Sequence, residues 1–154
     1  MINIKDYVRA ESLEEAWQLN QKKNNRILGG MLWMRMGRGN VGTVIDLCNL
    51  GLDRIEENEE EILILKQECE NKSGRPSKDD EEEFSIGAMA TLRDLEVHEG
   101  LNTYFANAVA DAIKDIVGVQ FRNMATLGGS IWGRFGFSDV LTVFLAMDSY
   151  VELY

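Results

Sequence analysis

The chain has 154 residues, 45% of them hydrophobic and 27% charged, with a formal net charge of −10 at pH 7. That length sustains one domain or two small lobes, and the acidity excludes nucleic acid as a partner, because such binding depends on neutralising phosphates with Lys and Arg. The longest apolar run, around Val140 to Met147, is too short to span a bilayer, so no membrane partner is expected.

Asp6 to Arg9 reads as a short strand. "SLEEAWQL" begins with a capping-box pattern, Ser12 with Glu15, and places Leu13, Ala16 and Trp17 on one helical face. The helix runs out at Asn24-Asn25, and Arg26 to Leu28 follows as a strand ending in Gly29-Gly30. The glycine-rich 36–42, "MGRGNVG", reads as a plain loop before a strand at 44–47. Strand, helix, strand and strand in succession predict a small α/β lobe over residues 1–60.

Residues 61–83 change character. "EILILK" is apolar enough for a strand, whereas "QECENKSGRPSKDDEEE" is polar and holds the only proline, Pro76. This acidic stretch is expected to be an insertion or linker, its 66–83 part a surface loop. A second lobe, 84–154, begins with a strand in which Phe84 and Ile86 share a face. Thr91 with Asp94 caps a short helix. The clearest helix is expected from about Thr103 to Val117, where Phe105, Val109, Ala112, Ile113 and Ile116 form a buried stripe. Ser138 caps a largely buried helix in "SDVLTVFLAM", and "SYVELY" alternates as a strand. The sequence stops inside that expected strand, as a truncated second lobe would.

Reactive side chains are scarce. Cys48 and Cys69 are too few to hold an iron–sulfur cluster, and the opening residues lack the apolar core of a secretory signal. A cytoplasmic chain without structural disulfides is expected. His98, the single histidine, is expected to be exposed rather than catalytic, and no His–Cys–carboxylate cluster suggests a metal. The acidic runs at 56–61 and 79–83 read as solvated surface, with docking of a basic partner as the other reading.

The two glycine pairs, Gly29-Gly30 and Gly128-Gly129, are the distinctive motifs. Glycine at a strand end permits positive φ and lets a ligand approach bare backbone, where successive N–H groups suit phosphate oxygens. Thr126 and Ser130 add hydroxyls beside the second pair. One such loop reads equally well as a turn, but two in one small domain could grip opposite sides of a pyrophosphate. Neither a G-x-G-x-x-G fingerprint nor a lysine-bearing phosphate loop is present.

In order, "RILGGMLWMRM", "VIDLCNLGLDRI", "FSIGAMATLRDLE" and "IVGVQFRNMATLGGSIWG", then Ser138-Asp139, resemble the flavin-binding module of the molybdenum hydroxylases. That group includes xanthine, carbon monoxide and nicotinate dehydrogenases. The resemblance spans nearly the whole chain apart from about 66–83 and implies an α+β fold of the vanillyl-alcohol-oxidase (PCMH) type. Two small α+β subdomains would have FAD between them. It further implies that Arg26, Ile27, Leu28, Gly29, Gly30, Met31, Leu32 and Trp33 form a first pyrophosphate loop. Thr126, Gly128, Gly129 and Ser130 would form a second. Asp139 would meet the adenosine end, and Ile116 and Gly118 would flank the flavin. Met31 replaces a hydroxyl residue usual in the family, Ser130 replaces Asn, and "RFGF" replaces a proline-containing stretch, yet backbone donors survive all three changes. Trp33, Trp132 and Phe135 are expected in the core, with ring stacking as the other reading.

The implied role is an FAD-binding electron-transfer subunit without a catalytic side chain of its own, not expected to turn over alone. Its partners would be molybdopterin-binding and iron–sulfur subunits, with NAD as a candidate acceptor. The alternatives are a flavin-free structural domain that keeps the fold and a self-contained flavin oxidase. The absence of an evident general base beside the loops counts against the oxidase.

Overall fold

The first strand, β1 (Ile2–Arg9), lies parallel to β3 (Gly39–Asp46), which in turn pairs in parallel with β2 (Arg26–Leu28), giving a three-stranded sheet of order β1-β3-β2. The structure, a computed structural model, describes residues 1–58, 83–147 and 149–154. The strand expected in "EILILK" and the acidic insertion, apart from its last residue, lie outside them.

Pairing in the sheet extends two elements beyond their local signals. β1 starts at Ile2 rather than Asp6, and the expected loop at 36–42 becomes strand from Gly39, because Ile2, Asn3 and Ile4 take Gly39, Asn40 and Val41 as partners. Between β1 and β2, α1 (Leu13–Asn20) is capped by Ser12 Oγ, which accepts the Glu15 N–H at 3.1 Å. The Glu15 carboxylate reaches back to the Glu11 N–H at 2.8 Å, one residue before the position a capping box requires. Ala16 packs with Ala10, Ile45 and Leu47 into a small core. The buried Asn25 ties this region together, donating to the Leu19 carbonyl at 2.8 Å and accepting the Thr43 N–H at 3.0 Å.

A short helix, α2 (Leu32–Met36), links β2 to β3. Farther on, β4 (Ile55–Asn58) and β5 (Glu83–Ile86) pair antiparallel. Phe84 and Ile86 point into a larger core that also holds Leu92, Leu95, Leu101, Val109 and Ile113. Thr91 and Asp94 form a complete capping box on α3 (Leu92–Val97).

The long helix expected from 103 to 117 is broken. α4 (Glu99–Tyr104) ends before Ala106 and Asn107, both left-handed at φ 50° and 63°, and α5 (Ala108–Ile113) begins anew. The buried Asn102 side chain fixes the break. Its amide donates to the Leu95, Glu96 and His98 carbonyls at 2.9, 3.2 and 2.9 Å, and its oxygen accepts the Ala110 N–H at 2.9 Å. Phe105, Val109 and Ile113 of the expected stripe are buried, while Ala112 and Ile116 are half-buried. His98 is half-buried rather than exposed, because Nδ1 caps α4 by accepting the Leu101 N–H at 3.2 Å.

Three helices complete the described chain: α6 (Val119–Arg122), α7 (Leu127–Gly133) and α8 (Asp139–Ala146). Ser138 caps α8, accepting the Leu141 N–H at 3.2 Å. That helix buries only Val140 and Phe144, so it is amphipathic rather than largely buried. Residues 150–154 carry no strand pairing, contrary to the alternation in "SYVELY".

Candidate functional site

The carboxyl ends of the three parallel strands come together, with Arg9 and Leu28 both in register with Asp46. Ligands of parallel α/β sheets bind beyond that edge. Asp46 there accepts the Tyr7 hydroxyl on one oxygen and the Cys48 N–H at 3.0 Å on the other, with Arg9 Nε 4.0 Å away. Burial pushes the Asp46 carboxyl up, but the Tyr7 and Cys48 hydrogen bonds and the Arg9 charge outweigh it and leave the group below its ordinary range. This edge therefore carries a fixed anion.

β2 runs directly into Gly29-Gly30. Gly30 and Met31 are both left-handed, at φ 63°. The Met31 N–H closes on the Gly29 carbonyl at 2.7 Å, which folds the backbone into a tight hook. Among the described residues, the N–H groups of Gly29, Gly30, Leu32 and Trp33 have no acceptor. Adjacent donors on a left-handed turn form a concave anion cradle, and no carbonyl of the described residues occupies these four.

The second glycine pair is differently employed. Thr126 Oγ1 caps α7 by accepting the Gly129 N–H at 3.2 Å, and its carbonyl accepts both Ser130 N–H and Oγ–H at 3.0 Å. The Leu127 and Gly128 N–H groups bind the Ala90 and Ala88 carbonyls at 2.9 and 2.8 Å. All four N–H donors of this turn are thus engaged within the protein.

Bare backbone brings the two pairs into contact. A Cβ on Gly29 would stand 2.9 Å from Thr126 Oγ1 and 3.7 Å from Gly129 Cα, and one on Gly129 would stand 3.6 Å from the Gly29 oxygen. The partners in each pair have separate tasks. Gly30 lies against the Met124 carbonyl, 1.8 Å from where its Cβ would be, and Gly128 against Ala88, whose carbonyl would be 2.7 Å away. Gly30 and Gly128 seat the loops, while Gly29 and Gly129 face each other.

Other residues of the expected site distribute around this contact. Arg26 turns back on its own loop, donating to the Lys23 and Asn25 carbonyls at 2.7 and 2.6 Å. Ile27 is exposed, Leu28 is half-buried, and Leu32 packs on the larger core, anchoring α2 to the second half of the chain. Ile116 is half-buried and Gly118 opens α6, a short helix upstream of Thr126. Asp139 starts α8 in a shallow groove between α5 and α8, near Asp111 and Asp115. The structure therefore joins 29–33 to 124–130 and sets Asp139 in a separate groove.

Trp33, Trp132 and Phe135 are exposed, at 52%, 77% and 37%, and not in the core. Trp33 sits on α2 and Phe135 on the turn after α7, both surface elements. Their rings meet 5.1 Å apart, and Phe135 stacks on Phe137 at 5.3 Å. The Arg134 guanidinium lies 5.3 Å over Trp132. Sequence reading missed Met124, whose carbonyl receives Gly30, because a backbone acceptor leaves no trace in side-chain pattern.

The family described as the FAD-binding domain in molybdopterin dehydrogenase matches residues 75–154, just over half of the chain. The chain belongs to this family. FAD is the family's cofactor, and the fold of this FAD-binding domain is of the PCMH type. Solved structures similar to it include the following three. Carbon monoxide dehydrogenase from Hydrogenophaga pseudoflava is 24% identical, at a TM-score of 0.57, over 82% of this chain and 38% of that one. Quinoline 2-oxidoreductase from Pseudomonas putida 86 is 22% identical, at 0.56, over 82% and 38%. Reconstituted CO dehydrogenase from Oligotropha carboxidovorans is 21% identical, at 0.55, over 81% and 38%. The FAD-binding domain thus spans about two fifths of the chains it resembles. No curated protein matches it.

The residues fit the cofactor. A dinucleotide presents a pyrophosphate that binds backbone N–H donors, and residues 29–33 supply four that no protein acceptor among the described residues takes up, two of them on glycine.

Proposed function

We propose that the chain is the FAD-binding electron-transfer component of a molybdenum hydroxylase. The unengaged N–H groups at Gly29, Gly30, Leu32 and Trp33, beside Gly129, carry this reading. Arg26 to Trp33 would hold the pyrophosphate mainly through backbone. Thr126, Gly128, Gly129 and Ser130 would form its opposite wall, their shape fixed by the α7 cap. Ile116 and Gly118 would border the flavin ring, and Asp139 would accept ribose hydroxyls. FAD supplies the redox chemistry, taking up electrons and passing them on, so the chain needs no reactive side chain.

In this reading residues 1–60 and 84–154 are the two subdomains, with β4 crossing to pair in the second. The partners are iron–sulfur and molybdopterin-binding subunits, and the acceptor is NAD or another oxidant. A cytoplasmic location belongs to the same proposal. Among the described residues no helix is long and apolar enough to cross a membrane.

Purified protein titrated with FAD tests the reading. Binding with a shifted, structured visible spectrum supports it. A protein that takes up no FAD at high micromolar concentration would instead be a flavin-free domain that keeps the fold.

A further inference from the structure

Among the described residues, Arg122 is the one buried charged side chain. Its Nε and Nη2 hold the Glu96 carboxylate at 2.7 and 3.2 Å, a two-point pairing that fixes the guanidinium plane. Glu96 is held from its other side by Arg93 at 2.8 Å. The third guanidinium nitrogen, Nη1, donates to the Ile116 carbonyl at 3.1 Å, and the Arg122 main-chain N–H donates to the Gly118 carbonyl at 3.1 Å. Arg122 therefore grips both residues that flank Val117.

Val117 is left-handed at φ 53°, a conformation that β-branched side chains rarely adopt. Its side chain is 80% exposed, so core packing does not account for the strain. Such a conformation persists only where its surroundings over-determine it, and here the surroundings are Arg122 and the pair it makes with Glu96. The Glu96 carboxyl is held below its usual range, chiefly by the Arg122 hydrogen bonds, so it is ionised near neutral pH.

We infer that Arg122 is a positioning residue, locked by Glu96, that holds the strained 116–118 turn in the shape that borders the flavin. This rests on the FAD reading above. The side chain itself stays buried behind the turn and acts through the Ile116 carbonyl. A neutral side chain of similar length would leave the core filled but release the turn.

The test uses the full chain as wild type, Arg122→Met, Arg122→Lys and the double variant Arg122→Met/Val117→Gly. FAD affinity is read from flavin fluorescence quenching, and ring environment from the visible circular dichroism of the bound flavin. Arg122→Met should weaken FAD by about tenfold and change the flavin dichroism, with Arg122→Lys between it and wild type. Val117→Gly in the Arg122→Met background should recover most of the loss, because glycine adopts the left-handed turn without a clamp. If wild type binds FAD and Arg122→Met matches it in affinity and dichroism, the inference is overturned and the FAD reading stands. If wild type takes up no FAD, the reading itself fails and the inference falls with it. Should Arg122→Met fail to fold, Glu96→Gln must shift the flavin dichroism in the same direction, and an unchanged spectrum overturns the positioning role.

Discussion

A methyl group placed at Gly30 and one placed at Gly129 meet different obstacles. At Gly30 it would lie 1.8 Å from the Met124 carbonyl on a backbone at φ 63°, so nothing flexible can yield. Gly30→Ala should cost about 3 kcal/mol in urea unfolding, from steric overlap together with left-handed strain. At Gly129 the nearest atom is the Thr126 hydroxyl at 2.9 Å, and the glycine itself is exposed. Gly129→Val should keep wild-type helix content and lose roughly tenfold in FAD affinity by titration. Unchanged affinity would remove Gly129 from the pyrophosphate wall. Glu96 gives a pH test at the same scale. Its folded pKa lies below the ordinary 4.5, so its contribution is complete above that value and is lost as pH falls through the folded one. Glu96→Gln should be less stable than wild type near neutrality, and the gap should narrow below pH 4.5. A gap that persists to the acid unfolding limit would contradict this.

At the scale of elements, Asn102 decides the break between α4 and α5. Asn102→Ala would strand the Ala110 N–H and the Glu96 carbonyl, at a cost of about 3 kcal/mol in chemical unfolding. Asn107→Gly, at a residue already left-handed, should instead change stability by less than about 1 kcal/mol. This break also marks where sequence reading ran out. Phe105, Val109 and Ile113 have helical spacing and are buried, so the apolar stripe was legible. The interruption at Ala106 and Asn107 was not, because hydrogen bonds from Asn102 to α3 create it. The caps at Ser12, Thr91 and Ser138 were legible for the opposite reason: each is a bond within four residues. The start of β3 at Gly39 depends on β1 alongside and has no local signal. In the candidate site, the glycine pairs stood out in the sequence because missing side chains are visible there. What each glycine touches was not visible, nor was the exposure of Trp33 and Phe135.

For the whole molecule, a ligand held between residues 29–33 and 124–130 should stabilise both halves at once. With free FAD at a hundredfold its dissociation constant, the gain is about 2.7 kcal/mol, or a melting temperature raised by roughly 5–10 °C. Differential scanning calorimetry should show one transition moving as a unit. A transition that splits, with half the heat unmoved, would mean that FAD contacts one lobe alone. The domain should also give no turnover of xanthine with an artificial acceptor, because its two cysteines and one histidine offer little for a cluster or metal centre. Substrate-dependent dye reduction by the pure chain would rule out a role confined to electron transfer.

The Gly30 contact has an evolutionary corollary. On one side it demands a residue with no side chain, and on the other it asks only for a main-chain carbonyl, which every amino acid owns. Position 124, half of it in solvent, is nearly blind to identity, whereas position 30 admits one letter of the alphabet. Drift at such a contact is one-sided, so no compensating exchange can arise and the pair leaves no covariation. A saturation library scored for folded protein should return glycine alone at 30 and nearly the full alphabet, short of proline, at 124.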